Sequence, residues 1–136
     1  MIRLESYICG TWQAGKATGR AFVNPTTGEQ LGTIDSTGLD MKAAVNFARS
    51  KGGPALRGLT FGERGALLNA MADALLANRA AYGEIALKNS GNTVRDAAID
   101  IDGGIGTLKF YARIGKNLGA THTLIEDGTD VLAKGD

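Results

Sequence analysis

Three features of the sequence predict a mixed α/β fold. Up to Asp35, short β-like runs alternate with turn residues. From Leu39 the apolar residues recur every three or four positions. Near the end, Asp127-Gly128 is a dipeptide suited to a hairpin turn. The expectation is short N-terminal β strands, three main helices and a C-terminal β-hairpin.

The strands come first. Tyr7, Ile8, Thr11 and Trp12 form one strand candidate, closed by a turn at Gln13-Ala14-Gly15-Lys16. Ala21–Val23 is a second, ended by Asn24-Pro25. Thr26-Thr27-Gly28-Glu29 turns the chain into a third, Leu31–Ile34. Glycine and Asn-Pro supply the backbone geometries that such turns need.

The helices follow. Asp40 is placed to cap a helix whose inner face holds Met41, Ala44, Val45 and Ala48, with Gly52 as its stop and Gly53-Pro54 as a break. Thr60-Phe61-Gly62-Glu63 reads as a capping box, in which hydroxyl and carboxylate each satisfy an orphan amide. Behind it Leu67, Leu68, Met71, Leu75, Tyr82 and Ala86 share a face of one long helix, ended by Asn89-Ser90-Gly91. Asn92 or Thr93 caps the third helix. Its stripe is Val94, Ala98, Ile101, Ile105, Leu108 and Ala112. Thr123–Glu126 and Val131–Ala133 are the arms of the terminal hairpin.

The third helix carries Gly103, Gly104 and Gly106 in its middle. A phosphate-cradling loop would interrupt the apolar period, yet the period runs straight through. Gly104-Ile105-Gly106 is followed by Thr107, Leu108 and Lys109, so the third glycine of the dinucleotide fingerprint is missing, and no Gly-Lys-Ser/Thr of a P-loop occurs. Each mid-helix glycine costs about 1 kcal/mol against alanine. The expectation is therefore close packing of a neighbouring element against this backbone. Asp96, Asp100 and Asp102 lie on the same helix. Two carboxylates at i, i+4 supply too few oxygens for a hard cation, and the reading is a solvated acidic face near a helix N-terminus.

Composition narrows the function classes. The chain has 136 residues, 43% hydrophobic and 21% charged, with a formal net charge of +1. That suits one ordinary domain and argues against a dedicated nucleic-acid binder, which needs clustered cations. No stretch suits a membrane span, so a cytoplasmic protein is expected. Cys9 is the only cysteine and His122 the only histidine, which excludes an internal disulfide and a complete Cys/His zinc site within this sequence. Cys9 is expected as a small buried side chain in a strand, and His122 as a surface residue at a strand end.

Taken together, "NPTTGEQLGTI", "GERGALLNAMADALLANRAAYGEIALKNSG" and "DIDGGIGTLKFYARIG" resemble the N-terminal region of the aldehyde dehydrogenase superfamily. The segments "GLDM", "FARSKGGPALRGLTFGER" and "DIDGGIGTL" are similar to a narrower branch: the dehydrogenases of aerobic aromatic degradation. That branch includes the phenylacetate-pathway bifunctional ring-opening enzyme and the benzoyl-CoA-pathway semialdehyde dehydrogenase. The resemblance covers essentially the whole chain.

The resemblance implies an oxidoreductase in which a cysteine thiolate attacks an aldehyde, hydride passes to NAD or NADP, and a glutamate activates water to release the acid. In the family those residues lie downstream of the matched segment, so no catalytic, cofactor-binding or metal residue is carried over, and Cys9 does not match the nucleophile. Residues 1–119 would be the N-terminal portion of the cofactor domain, and 120–136 the start of the hairpin that pairs subunits. The expected partners are the remainder of a dehydrogenase chain and further copies in a homo-oligomer, not nucleic acid or membrane. The chain alone is expected to bind no cofactor and to be inactive. The alternative is a short, non-catalytic assembly or binding module built from the same elements.

Overall fold

The computed structural model describes residues 2–126 and 129–130. The element order is β1 (Ile2–Arg3), β2 (Ser6–Ile8), β3 (Thr11–Gln13), β4 (Arg20–Val23), β5 (Gln30–Ile34), α1 (Met41–Phe47), a π-helical turn (Ala48–Gly52), α2 (Gly53–Arg57), α3 (Phe61–Ala77), α4 (Arg79–Ser90), α5 (Val94–Leu118), β6 (Ile125–Glu126) and β7 (Thr129–Asp130). The mixed α/β character stands. The chain divides into two compact units: Met1–Gly53 with Ala80–Ala98, and Pro54–Arg79 with the chain from Ile99.

In the first unit, β5 is the centre of a three-stranded sheet ordered β1-β5-β4, with β1 parallel and β4 antiparallel to it. The predicted Tyr7–Trp12 strand is instead a hairpin. β2 and β3 pair antiparallel with Tyr7 opposite Trp12 and Ile8 opposite Thr11. Cys9 and Gly10 form its two-residue turn, at φ 53° and 87°. Both values are left-handed, the geometry that lets a two-residue turn match strand twist. Cys9 is accordingly exposed at the tip, not buried as the one-strand reading required. The loops beside the sheet are held by Asp35, which accepts from the amides of Ala17 (2.7 Å) and Thr37 (3.0 Å). Arg3 donates to the carbonyls of Gly15 and Ala17.

The first helical region is capped as expected, with Asp40 Oδ1 accepting from the Ala43 amide at 2.8 Å. Gly53-Pro54 does not end it. The Gly53 amide reaches Ala48 five residues back, and helix resumes as α2. The wider turn spares Pro54 the clash that an α-helical carbonyl four residues earlier would impose. The expected inner face is not covered: Met41 and Val45 are each 49% exposed.

In the second unit, α3 starts at the predicted capping box. The Thr60 amide donates to Glu63 Oε2 at 2.8 Å, and the Glu63 amide to Thr60 Oγ1 at 3.2 Å. The single long helix expected here is two. Asn78 leaves helical geometry at φ −109°, ψ 14°, and its side-chain amide donates to the Ala74 carbonyl. Asparagine competes with the helix ladder in this way, and α4 then restarts at Arg79.

α3 and α5 run antiparallel. Contacts at Gly62–Gly119, Gly65–Gly115 and Asp73–Lys109 fix the direction. The covered face of α3 is Gly65, Leu68, Ala72 and Leu75; Leu68 and Leu75 belong to the expected stripe, whereas its other two members on this helix, Leu67 and Met71, are 48% and 55% exposed. α5 buries Ile105 and Ala112 and half-buries Ile101 and Leu108, as its period predicted, while Val94 at its start is exposed. Thr93 is the cap, its Oγ1 accepting from the Asp96 amide. Among the described residues the buried apolar side chains are few: Ile8, Ala72, Ala97, Ile105 and Ala112. Trp12, Tyr7, Ile99, Phe110 and Tyr111 are exposed. Ile125 pairs antiparallel with Asp130 and Glu126 with Thr129, so the first expected arm pairs with a strand that lies before the second. The expected arm Val131–Ala133 lies outside the described residues.

Candidate functional site

The glycine segment lies wholly inside α5, so it is a helix and not a phosphate loop. The close neighbour expected for it is not found among the described residues. A methyl group built on Gly103, Gly104 or Gly106 meets nothing within 4 Å. The close approach lies elsewhere. On Gly65 it would sit 2.7 Å from the Ala112 carbonyl oxygen, and on Gly115 2.6 Å from that of Phe61. Those neighbours are backbone and cannot swing away. The signal that could have found them is their i, i+3 or i, i+4 spacing to the apolar stripes: Gly65 to Leu68, Gly115 to Ala112.

A dinucleotide pyrophosphate needs free backbone amides converging at the end of a helix. Within α5 the glycine amides are committed to the helix ladder, so this segment does not fit that group.

The three aspartates do not converge either. Asp96 accepts from the Thr93 hydroxyl at 2.7 Å as part of the helix cap. Asp102 takes both Nε (2.5 Å) and a terminal nitrogen (2.7 Å) of Arg79, a bidentate ion pair on the surface of the second unit. Hydrogen bonding from Arg79 holds the Asp102 carboxyl below its ordinary range, and the same contact raises Arg79. Among the described residues no group of three or more metal-binding side chains comes together. Two other carboxyls are lowered. For Asp35 the main cause is the Thr37 amide; for Glu63 it is the Thr60 amide. Each is an anion stabilising local backbone, a structural duty. His122 is exposed, as expected.

Among the described residues each unit holds a hollow. In the first, Ile2, Leu4, Phe22, Leu31 and Ile85 line a mainly apolar hollow of about 400 Å³, with Glu84 and Lys88 beside it. In the second, a cleft of about 600 Å³ runs between α3 and α5. Gly62, Gly65, Ala66 and Ala112 form its low walls, and Asn69, Lys109, Arg113 and Lys116 its polar rim. It exists because small residues on α3 leave room beside the crossing. The large apolar stripes do not point to it; Lys109, Arg113 and Lys116 at i, i+4, i+7 are its visible trace in the sequence.

Among the described residues no helix is long and apolar enough to cross a membrane. Comparison with known proteins supplies what the geometry alone does not. The family model described as "Aldehyde dehydrogenase family" matches residues 12–134. The chain is 48% identical to 3,4-dehydroadipyl-CoA semialdehyde dehydrogenase of Aromatoleum evansii over 135 residues, 99% of this chain and the N-terminal 26% of that protein. It is 36% identical to retinal dehydrogenase 2 of Gallus gallus over 112 residues, 78% of this chain and 21% of that one. Glutarate-semialdehyde dehydrogenase of Pseudomonas putida is 26% identical over 119 residues, 87% of this chain and 25% of that one. The chain thus spans about a quarter of the length of these relatives. With a family model that runs from the first hairpin to the last few residues, the chain belongs to the aldehyde dehydrogenase family.

Proposed function

We propose that this chain forms the N-terminal part of a cytoplasmic, homo-oligomeric, NAD- or NADP-dependent dehydrogenase that oxidises a CoA-thioester semialdehyde of aromatic-compound degradation to the acid. The observation that carries the reading is the 48% identity over 99% of the chain with a protein named for a CoA semialdehyde. The exposed apolar side chains support it. Among the described residues five apolar side chains are buried, while Leu67 and Met71 on α3 and Ile99 and Tyr111 on α5 are large apolar side chains left exposed. Surfaces of that kind find a partner, here the rest of the dehydrogenase.

The chain's own part in the reaction is support. Residues 1–119 contribute to the cofactor domain, and 120–136 begin the hairpin that pairs subunits. The capped, antiparallel α3–α5 pair gives that domain a rigid flank. The nucleophile, the water-activating carboxylate and the groups that hold the oxidant belong to the downstream sequence.

The test has two arms. The long enzyme carrying this chain is assayed with NAD and NADP against a CoA-thioester semialdehyde. Acid formation with cofactor reduction is expected, and its absence, with turnover of other aldehydes, rejects the substrate class. The 136-residue chain alone is expected to reduce no cofactor and to self-associate in size-exclusion chromatography with light scattering. A concentration-independent monomer with a cooperative melt would favour a free-standing assembly module instead.

A further inference from the structure

The cleft between α3 and α5 has a chemistry that the proposed dehydrogenase reading leaves unused. Lys109, Arg113 and Lys116 follow one another along one face of α5, and Asn69 faces them from α3. Lys109 is already matched, with Asp73 Oδ1 3.3 Å from its ammonium. Arg113 lies over the Phe110 ring, its carbon 5.6 Å from the ring centre. No carboxylate among the described residues is within ion-pair distance of Arg113 or Lys116. Among the described residues the cleft therefore presents three cations against one carboxylate, and the unmatched charge sits at the end near Gly62. The first amides of α3 do not add to it, because Phe61 and Gly62 donate to Thr121 and Gly119.

The walls beside the helix crossing are low. Gly65 and Ala112 are buried at the base, and Ala66 carries only a methyl group. A hollow of about 600 Å³ falls within the range of small-molecule sites, roughly 300–1,000 Å³. Arginine and lysine together hold phosphate well, the one by its planar fork and the other as a point charge.

We propose that this cleft binds the phosphorylated adenine nucleotide end of CoA, with Arg113 and Lys116 on its phosphates and Asn69 as a further polar contact. The assignment to CoA rests on the proposed CoA-thioester substrate. Phosphate on a nucleotide is the shared chemistry, and NADP is the other molecule that could present it. Arg113 and Lys116 would thus be specificity residues remote from the reacting aldehyde, holding the substrate by its handle.

The experiment uses the long enzyme and three probes: CoA, pantetheine, which lacks all the phosphates, and NADP. Binding is measured by calorimetry for the parent, for the double variant Arg113→Gln/Lys116→Gln, and for Ala66→Leu, which fills the cleft without changing charge. Losing a charge-assisted hydrogen bond weakens binding by about tenfold or more. CoA affinity is expected to fall by about that factor in both variants, while pantetheine and NADP are unaffected. Unchanged CoA affinity in both variants overturns the proposal. So does a loss of NADP affinity in step with CoA, which would assign the cleft to the cofactor. Oxidation of the CoA-thioester semialdehyde by the parent is scored separately. An enzyme that binds CoA through Lys116 but does not oxidise that substrate retains the cleft and loses the substrate reading.

Discussion

Two sets of glycines in this molecule look alike in sequence and differ in every physical respect. Gly103, Gly104 and Gly106 sit together in α5 with open space where their side chains would be. Gly65 and Gly115 stand alone, one on α3 and one on α5, each pressed against the other helix. A cluster draws the eye, but a cluster on one short arc of a helix turns several ways at once: successive residues point about 100° apart. A close helix crossing needs one small residue per helix at the contact point, and that is what Gly65 and Gly115 provide. The number of glycines says how much helix propensity is lost. The position of a glycine on the apolar stripe says whether packing recovers it.

Substitution should separate the two sets most sharply at the crossing. Gly65→Leu places a side chain where backbone already lies, and urea unfolding should show a loss of about 1–3 kcal/mol or more, the typical cost of overpacking. A near-neutral result would mean that the crossing relaxes freely and that the contrast has no energetic content. Gly104→Ala should act in the opposite direction. With nothing nearby to clash, alanine regains helix propensity, and stability should rise by up to about 1 kcal/mol. If the same change destabilises the long enzyme but not the chain alone, downstream sequence packs on this face, and the two sets are alike after all in the assembled protein.

The capping box tests how far α3 depends on its own start and how far on the crossing. Thr60→Ala removes the acceptor for the Glu63 amide and should cost about 1 kcal/mol, within the usual range for a lost N-cap. An effect as large as that of Gly65→Leu would place the main anchor of the helix pair at its end.

The smallest effect is on pH. Asp35, Glu63 and Asp102 all have lowered pKa values in the folded chain. A carboxyl whose folded value lies below its unfolded one stabilises the fold above the unfolded value, about 4, and that contribution is lost as pH falls through the folded value. The midpoint of urea unfolding should therefore drop as pH falls below about 4, and Asp102→Asn should flatten part of the drop. All three groups are exposed to solvent, so each share is small and weakens in salt. No flattening in Asp102→Asn would show that the Arg79 pair contributes nothing to the acid response.

Much of this was legible beforehand because it is local. The Asn24-Pro25 stop, the Asp40 cap, the Thr60–Glu63 box and the apolar period of α5 each depend on residues within a few positions of one another, where backbone geometry and hydrogen-bond reach decide the outcome. The resemblance to the aldehyde dehydrogenases was also carried by contiguous segments, and the family match bears it out.

Tertiary structure alone decided the rest. Cys9-Gly10 became a turn because β2 folds back on β3, which a continuous run of β-forming residues does not announce. Helix continued past Gly53-Pro54 through a wider turn and stopped at Asn78, choices that individual propensities rank only weakly. The face of α3 that packs is set by Gly65 and Ala72, whose lack of bulk is invisible to a pattern that looks for large apolar side chains. The basic cleft arises from the same cause, since two small walls and three cations meet only when α3 lies antiparallel to α5. Sequence determined which elements form, because that is settled by short-range sterics and hydrogen bonding. Structure decided which faces meet, because burial rewards the closest fit between surfaces far apart in the chain, and small residues set that distance.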